Sequence, residues 1–411
     1  MQTDYTLAGI DVHKRILVVA VAYPGAELQY ETERFSTTPS ALAQLAQWLG
    51  ERRVREVVME STAQYWQPVW RALEGQFQLH LAQAKSNPAP HGRKTDVEDA
   101  KRLVRRLHAQ ELRLSFVPDA GQRLLRSLTR ARYQLTCDHV RTQAQIESLL
   151  EEASIKLSSF LSDLFGASGR RILRALANGM DDPAELASLA NRRVQASAET
   201  LADALSTKLT NVHRILLGLH LDRLDLINAQ VSAIDQALAI QLQAQAAPVQ
   251  RLLSVPGIGI TAAQEILAQL GPTAAPFPSP AHLASWVGVC PGRKQSAGHS
   301  TSNRSPKGNR SMRRVLTQIA HAAVKTKGSY FQQIFHRLLP RLGYKKAVWA
   351  IAHRVCRIVW HVLHNQATYI EHGLRTANPR SLHDQSRRIV KKLKALGFDV
   401  QLTQRQLQPD Q

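Results

Sequence analysis

The chain has 411 residues and a net charge of +21, and at roughly 150 residues per domain that length predicts two or three domains. An apolar share of 44% excludes wholesale disorder, and no run of 18 or more apolar residues exists to form a membrane-spanning helix. The charge is uneven: residues 293–411 carry +19 of it, and no Asp or Glu stands between Glu265 and Glu371. Ordinary surfaces mix both signs, so this stretch predicts a polyanionic partner, nucleic acid well ahead of an anionic membrane, with binding that weakens steeply in salt.

In chain order, Tyr5–Asp11 and Ile16–Ala22 read as strands around a short turn, the second apolar on both faces as in a sheet centre. A third strand covers Gln29–Ser36. A helix opens at Pro39-Ser40, with Leu42, Leu45, Trp48 and Leu49 at helical spacing. Arg55–Glu60 is a strand, Thr62–Gln76 a helix, Phe77–Ala82 a strand and Asp96–Leu112 a helix. A three-strand meander followed by alternating α and β is the order of an RNase H-like α/β domain. Next come helices: Leu124, Leu128, Ala131 and Leu135 form one apolar stripe, and Leu150, Ala153, Leu157, Leu161 and Leu164 continue it. Leu217, Leu224, Val231 and Leu238 are seven apart, with Ile227 and Ile234 between, which is coiled-coil spacing. That seam pairs either within the chain as a helical hairpin or between chains. Gly/Pro/Ser-rich loops are expected from 254 to 311, then mainly α structure to about 375. The resulting divisions are 1–115, 116–245, 246–375 and a basic helical tail, 376–411.

Asp11 ends the first strand and Glu60 the fourth, and adjacent strand ends on a central sheet bring such side chains together. Asp96 and Asp99 share a face at a helix start. Each has a plainer role open to it: Asp11 in a turn, Asp96 as a cap, Asp99 in solvent. Four converging acids, however, repel one another unless a cation holds them. Oxygen ligands suit Mg²⁺ or Mn²⁺, and two such ions about 3.5–4 Å apart serve phosphoryl transfer.

Gly9-Ile10-Asp11-Val12-His13-Lys14, Met59-Glu60-Ser61-Thr62-Ala63-Gln64-Tyr65-Trp66, Asn87-Pro88 and Arg93-Lys94-Thr95-Asp96-Val97-Glu98-Asp99-Ala100 resemble the signature blocks of the DEDD transposases of insertion sequences (the IS-110 family). Val255-Pro256-Gly257-Ile258-Gly259, Leu283–Pro291 and Lys307-Gly308-Asn309-Arg310-Ser311-Met312-Arg313-Arg314 agree with the family's downstream blocks. The resemblance covers about 5–115 and 245–370. It implies a RuvC-like N-terminal domain, similar to Holliday-junction resolvases, whose four acids bind divalent metal. It also implies a transposase domain with a serine nucleophile, a structured bridge RNA that pairs with donor and target DNA, and a homo-oligomer, a dimer of dimers. The family's serine follows a Gly-Leu-x-Pro-like block, here Gly288-Val289-Cys290-Pro291, so Ser296 corresponds to it. Ser296-Ala297-Gly298 stands where the family often has Ser-Gly, and Ser300, Ser302 and Ser305 crowd the same loop.

A serine attacking a phosphodiester stores the bond energy for rejoining, and Arg293, Lys294, Lys307 and Arg310 would stabilise the charged transition state. Pro256–Gly259 reads as a helix–hairpin–helix whose Gly257 and Gly259 admit a phosphate to backbone N–H groups, or else as a plain tight turn. Lys307, Arg313 and Arg314 read as phosphate contacts. His321, His353, His361 and His364 lack carboxylate or cysteine partners and read as structural. The N-terminus lacks a basic segment followed by an apolar one, so no secretory signal is expected. Cys137, Cys290 and Cys356 form no Cys-x-x-Cys pair, which fits a reducing bacterial cytosol or nucleoid. Three functions compete: an RNA-guided recombinase, a metal-dependent junction nuclease that needs the acids but no serine, and a non-catalytic nucleic-acid binder. The four acids disfavour the last and the serine block disfavours the second.

Overall fold

The computed structural model describes residues 5–25, 27–61, 63–84, 87, 95–191, 193–292, 294–296, 299–302, 304–371, 387, 389–391, 393–394 and 398–400; residues 294–296 and 299–301 are described by their backbone. The chain forms two compact units, Met1–Asp119 and Ala120–Gln411.

The first unit is built on a mixed sheet of β1 (Thr6–Val12), β2 (Ile16–Tyr23), β3 (Gln29–Ser36), β4 (Val54–Glu60), β5 (Gln78–Ala82) and β6 (Leu114–Ser115), in the order β3-β2-β1-β4-β5-β6. β1 runs antiparallel to β2 and parallel to β4, which is parallel to β5. One face carries Ala8, Ile10, Val57 and Met59 into a core with α1 (Pro39–Glu51) and α2 (Trp66–Leu73). The other face packs α3 (Asp96–His108), with Val58 against Leu103 and Ala20 against Ala100. Helices on both faces explain why β2 is apolar throughout. This is the RNase H-like arrangement. The two-residue β6 has no sequence signal, and α2 and α3 are shorter than their apolar patterns suggest.

In the second unit α4 (Ala120–Glu152) and α8 (Asn211–Gln241) form an antiparallel hairpin, tied at one end by Arg132–Asp235 (2.5 Å) and at the other by His213–Glu152 (3.8 Å). Leu217, Leu224 and Leu238 are buried in α8 while Val231 and Ile234 are half-buried, so the predicted heptad seam is occupied within the chain. Leu150, Ala153, Leu157, Leu161 and Leu164 join the core around α5 (Ala167–Ala177), α6 (Pro183–Ser188) and α7 (Ala198–Ala204). The stripe expected at Leu124, Leu128, Ala131 and Leu135 is corrected. Leu124 and Ala131 are exposed, and α4 buries Gln122, Leu125 and Thr129 instead. The reason lies in its neighbour, α10 (Ile260–Leu270). Gln122 Nε2 donates to Ala268 O (3.3 Å), and Arg126 donates to Ala268 O (3.0 Å) and Gln269 O (2.7 Å). These side chains satisfy carbonyls that the end of a helix leaves unpaired, so the buried face of α4 is polar there.

The sequence predicts loops throughout 254–311, but α10 and α11 (Pro280–Val287) form within that stretch, because 260–270 and 280–287 are rich in Ala, Leu and Ile or Val and Ser279 caps α11 by accepting from His282 N. α9 (Ala246–Leu253) precedes the Gly257 turn, β7 (Lys294–Ser296) and β8 (His299–Ser302) make a hairpin, and α12 (Arg310–Ala323) and α13 (Tyr330–His364) close the unit. α13 bends at Gly343, three residues after Pro340. Of the predicted tail, the described residues between 387 and 394 are helical.

Candidate active site

Ile10 pairs with Met59 across the parallel β1/β4 ladder, so Asp11 and Glu60 are the next residues along, at the same end of two neighbouring strands. Side chains alternate along a strand. Ile10 and Met59 point toward α1 and α2, so Asp11 and Glu60 stand on the α3 side. Gly9 lets α3 come close: a Cβ there would lie 2.5 Å from Ala100 O and 2.7 Å from Val104 Cγ2. The Thr95 hydroxyl caps α3 by accepting from Glu98 N. Asp96 and Asp99 occupy the first turn of α3, where the helix dipole favours negative charge.

Asp99 is buried and Asp11 nearly so, while Asp96 is half exposed. His13 Nε2 lies 3.0 Å from Asp11 Oδ2 and 3.5 Å from Asp96 Oδ1. Among the described residues Asp11, His13 and Asp96 form a grouping of metal-ligating atoms, all within 4.8 Å of one another. Glu60 Oε2 accepts from Asn87 Nδ2 at 3.0 Å, and Asp99 Oδ1 lies 2.7 Å from Arg102 Nη1. His13 is absent from the acid pattern found in the sequence. Its signal was the two-residue spacing from Asp11, which returns a side chain to the same face.

Burial holds the Asp11 carboxyl above the ordinary carboxylate range. His13 pulls it back, and repulsion from Asp96 and Asp99 adds to the rise. A raised folded value means that the metal-free fold favours the protonated acid. Its contribution to stability is therefore present below the unfolded value, about 3.9, and is lost as pH rises through the folded value. Hard oxygen donors, mutual repulsion and a nearby imidazole fit a divalent cation of the Mg²⁺ or Mn²⁺ class. Protons and the cation compete for Asp11, so affinity for Mn²⁺ is expected to rise with pH from the ordinary carboxylate range upward. Calorimetric Mn²⁺ titrations at stepped pH check this, and a flat profile would contradict it.

The second candidate region is the serine loop. β7 and β8 pair Ser296 with His299 and Gln295 with Ser300, so the Ser296 backbone sits beside the turn of a hairpin. The side chains of Lys294, Ser296 and Ser300, and all of Arg293, lie outside the described residues. The neck of the loop is tight. A Cβ at Gly308 would lie 2.2 Å from Val287 O, and Asn309 N donates to Trp286 O at 3.2 Å. Trp349 Nε1 donates to Ser305 Oγ at 2.9 Å, and Ser302 Oγ accepts from Arg304 N.

The basic residues divide into two sets. Lys307 and Arg310 are exposed. Arg313 donates to Gly288 O and Pro306 O and lies over the Trp349 ring, 4.6 Å from its centroid. Arg314 pairs with Glu265 and lies 3.8 Å over Tyr133. Both guanidinium groups are thus engaged inside the fold, Arg313 at the neck of the loop and Arg314 against α10 and α4. The Gly257 turn does join two helices, but a Cβ on Gly257 (φ +87°) would lie 2.6 Å from Ile319 O, so its bareness serves packing on α12. Gly259, at the start of α10, has open space around it. His321 Nδ1 is 3.0 Å from Tyr344 Oη, and His364 stacks on Trp360.

No curated protein matches the chain. Two family models do. One, described as transposase and named for the DEDD type of IS110, matches residues 8–155, and one described as the transposase IS116/IS110/IS902 family matches residues 249–336. The first spans Asp11, Glu60, Asp96 and Asp99, and the second spans the serine loop. With both halves matched in order around these sites, the chain belongs to the IS110-type DEDD transposases of insertion sequences.

Proposed function

We propose that this transposase carries out RNA-guided DNA cleavage, strand exchange and rejoining through a phosphoserine at Ser296, with two Mg²⁺ or Mn²⁺ ions held by Asp11, Glu60, Asp96 and Asp99. The observation that carries the reading is that Asp11 and Glu60 stand at the same end of the neighbouring strands β1 and β4, with ligating atoms of Asp11, His13 and Asp96, the last in the first turn of α3, within 4.8 Å of one another. A bound divalent cation supplies charge stabilisation and easier deprotonation of an oxygen. Ser296 Oγ attacks the scissile phosphorus, forming an O–P bond as the bond to the leaving strand oxygen breaks. The serine proton leaves to the acidic site and the leaving oxygen takes one up. A hydroxyl of the incoming strand then reverses the step and frees the serine. Exposed Lys307 and Arg310 hold phosphates near the loop, joined by Arg293 and Lys294, and Gly259 leaves the backbone at the start of α10 open to another. Arg313, Arg314 and Gly257 instead support the scaffold. The guide RNA and the donor and target DNA draw on the acid-free stretch 266–370. Among the described residues no helix is long and apolar enough to cross a membrane, and the place of action is the bacterial cytoplasm.

Homo-oligomer formation fits a different seam from the predicted one. Val212, Leu219, Leu226, Ala233 and Ile240 are seven apart along α8 and all exposed, so a second copy can pair there while the inner seam serves α4. In a dimer of dimers the acids of one subunit can act with Ser296 of another. The test mixes Ser296→Ala with Asp11→Ala protein, each inactive alone. Partial recovery of a serine-linked DNA adduct is expected. No recovery despite proven subunit exchange would refute shared sites, and a Ser296→Ala protein that still cuts would support the junction-nuclease reading. An adduct mapping to Ser300 or Ser302 would keep the chemistry and move the residue. Sequencing of copurified RNA tests guidance.

A further inference from the structure

Asn87 lies in the Asn-Pro block between β5 and α3 and is 5% exposed. Its Nδ2 donates to Glu60 Oε2 at 3.0 Å. Its Oδ1 accepts from Arg102 Nε at 3.2 Å and from Arg106 Nη1 at 3.4 Å. Arg102 in turn sets Nη1 2.7 Å from Asp99 Oδ1, with side-chain exposures of 15% and 10% for the pair. A continuous polar link therefore runs from Glu60 on the sheet, through Asn87 and Arg102, to Asp99 on the helix. Asp96, Asp99, Arg102 and Arg106 fall three, three and four residues apart, which lines them along one side of α3.

The chemistry leaves little choice of residue at position 87. One end of the side chain must donate to a carboxylate and the other must accept from guanidinium groups, which an amide does and a carboxylate or hydrocarbon does not. Those partners also determine which end is nitrogen and which is oxygen. Asp11 and Asp96 are bridged differently, by His13. The two halves of the acidic site are thus held by separate devices, and only the Glu60/Asp99 half is tied through buried groups.

We propose that Asn87 and Arg102 are positioning residues: they fix the orientations of the Glu60 and Asp99 carboxylates before a divalent cation arrives. Buried partners of this kind orient metal ligands, and their loss costs about 10–100-fold in metal affinity. Arg102, engaged with Asp99 and Asn87, acts through the ligands. The proposal rests on the metal reading of the four acids.

The test is Mn²⁺ binding by isothermal titration calorimetry to the full-length chain, alongside thermal melting without metal. Asn87→Leu removes the amide at similar volume and is expected to raise the Mn²⁺ Kd by about 10–100-fold while the fold still melts cooperatively. Arg102→Lys keeps a charge beside Asp99 but loses the Nε contact to Asn87, and is expected to weaken binding too. The double variant is expected to bind no worse than Asn87→Leu, because groups acting through one link are not additive. A folded Asn87→Leu chain with wild-type Mn²⁺ affinity overturns the proposal. If Asn87→Leu does not fold, wild-type affinity in Arg102→Lys overturns it equally. Asp11→Ala separates the two readings: wild-type protein that binds no Mn²⁺, or binds it unchanged after Asp11→Ala, overturns the metal site itself and this proposal with it.

Discussion

Alanine at Asp11 or Glu60 is expected to lower Mg²⁺-dependent DNA cleavage and strand exchange by at least about a thousandfold. Metal-assisted charge stabilisation is worth several kcal/mol in a phosphoryl-transfer transition state, and each 1.36 kcal/mol is about tenfold in rate. The metal-free melting temperature should move the other way, or not at all, for Asp11→Ala. Asp11 is nearly buried and faces the like charges of Asp96 and Asp99, with only His13 in its favour. Removing it relieves repulsion, so the variant should be at least as stable as the parent and still inert. Full strand exchange by Asp11→Ala or Glu60→Ala with Mg²⁺ present would refute the assignment, and a large loss of stability would recast these acids as structural.

Gly9→Ala is expected to damage both fold and site. The added Cβ would lie 2.5 Å from Ala100 O and 3.2 Å from Val104 N, both backbone atoms that cannot rotate aside. The sheet and α3 must separate, at a cost of about 3 kcal/mol, the upper end for overpacking. The same displacement moves Asp96 and Asp99 away from Asp11 and Glu60, so Mn²⁺ affinity should fall with stability. Urea unfolding and metal titration on one preparation check both. A parental unfolding midpoint would show that α3 does not depend on this approach. The adjacent Ala8→Gly, which faces the opposite core, should lose stability without moving the acids.

The legible parts of the molecule are those where a local pattern and the tertiary answer agree. β1, β2, β3, β4 and α3 were visible because alternation or helical spacing continues over whole elements, and the acids stand at their ends. The Leu150–Leu164 run was legible as core for the same reason. On α4 the local apolar pattern and the tertiary answer part, because the partner there is the carbonyl end of α10, which asks for Gln122 and Arg126 rather than leucines. Arg313 and Arg314 look like surface charge in a basic run. Trp349, Glu265 and Tyr133 take them inward, from elements 36 or more residues away in the chain.

By itself the sequence determined the family blocks, the order of β1 to β5 and α1 to α3 in the first unit, and the concentration of positive charge beyond residue 292. These are properties of residue type and short spacing, which a linear pattern carries in full. Tertiary structure alone decided which heptad face α4 covers, leaving Val212, Leu219, Leu226 and Ile240 outside. It also decided that His13 joins Asp11 and Asp96, and that Asn87 and Arg102 join Glu60 to Asp99. Each of these depends on two segments meeting. The meeting is set by the packing of α3 on the sheet at Gly9 and of α8 on α4, and neither distance is written in any one stretch of chain.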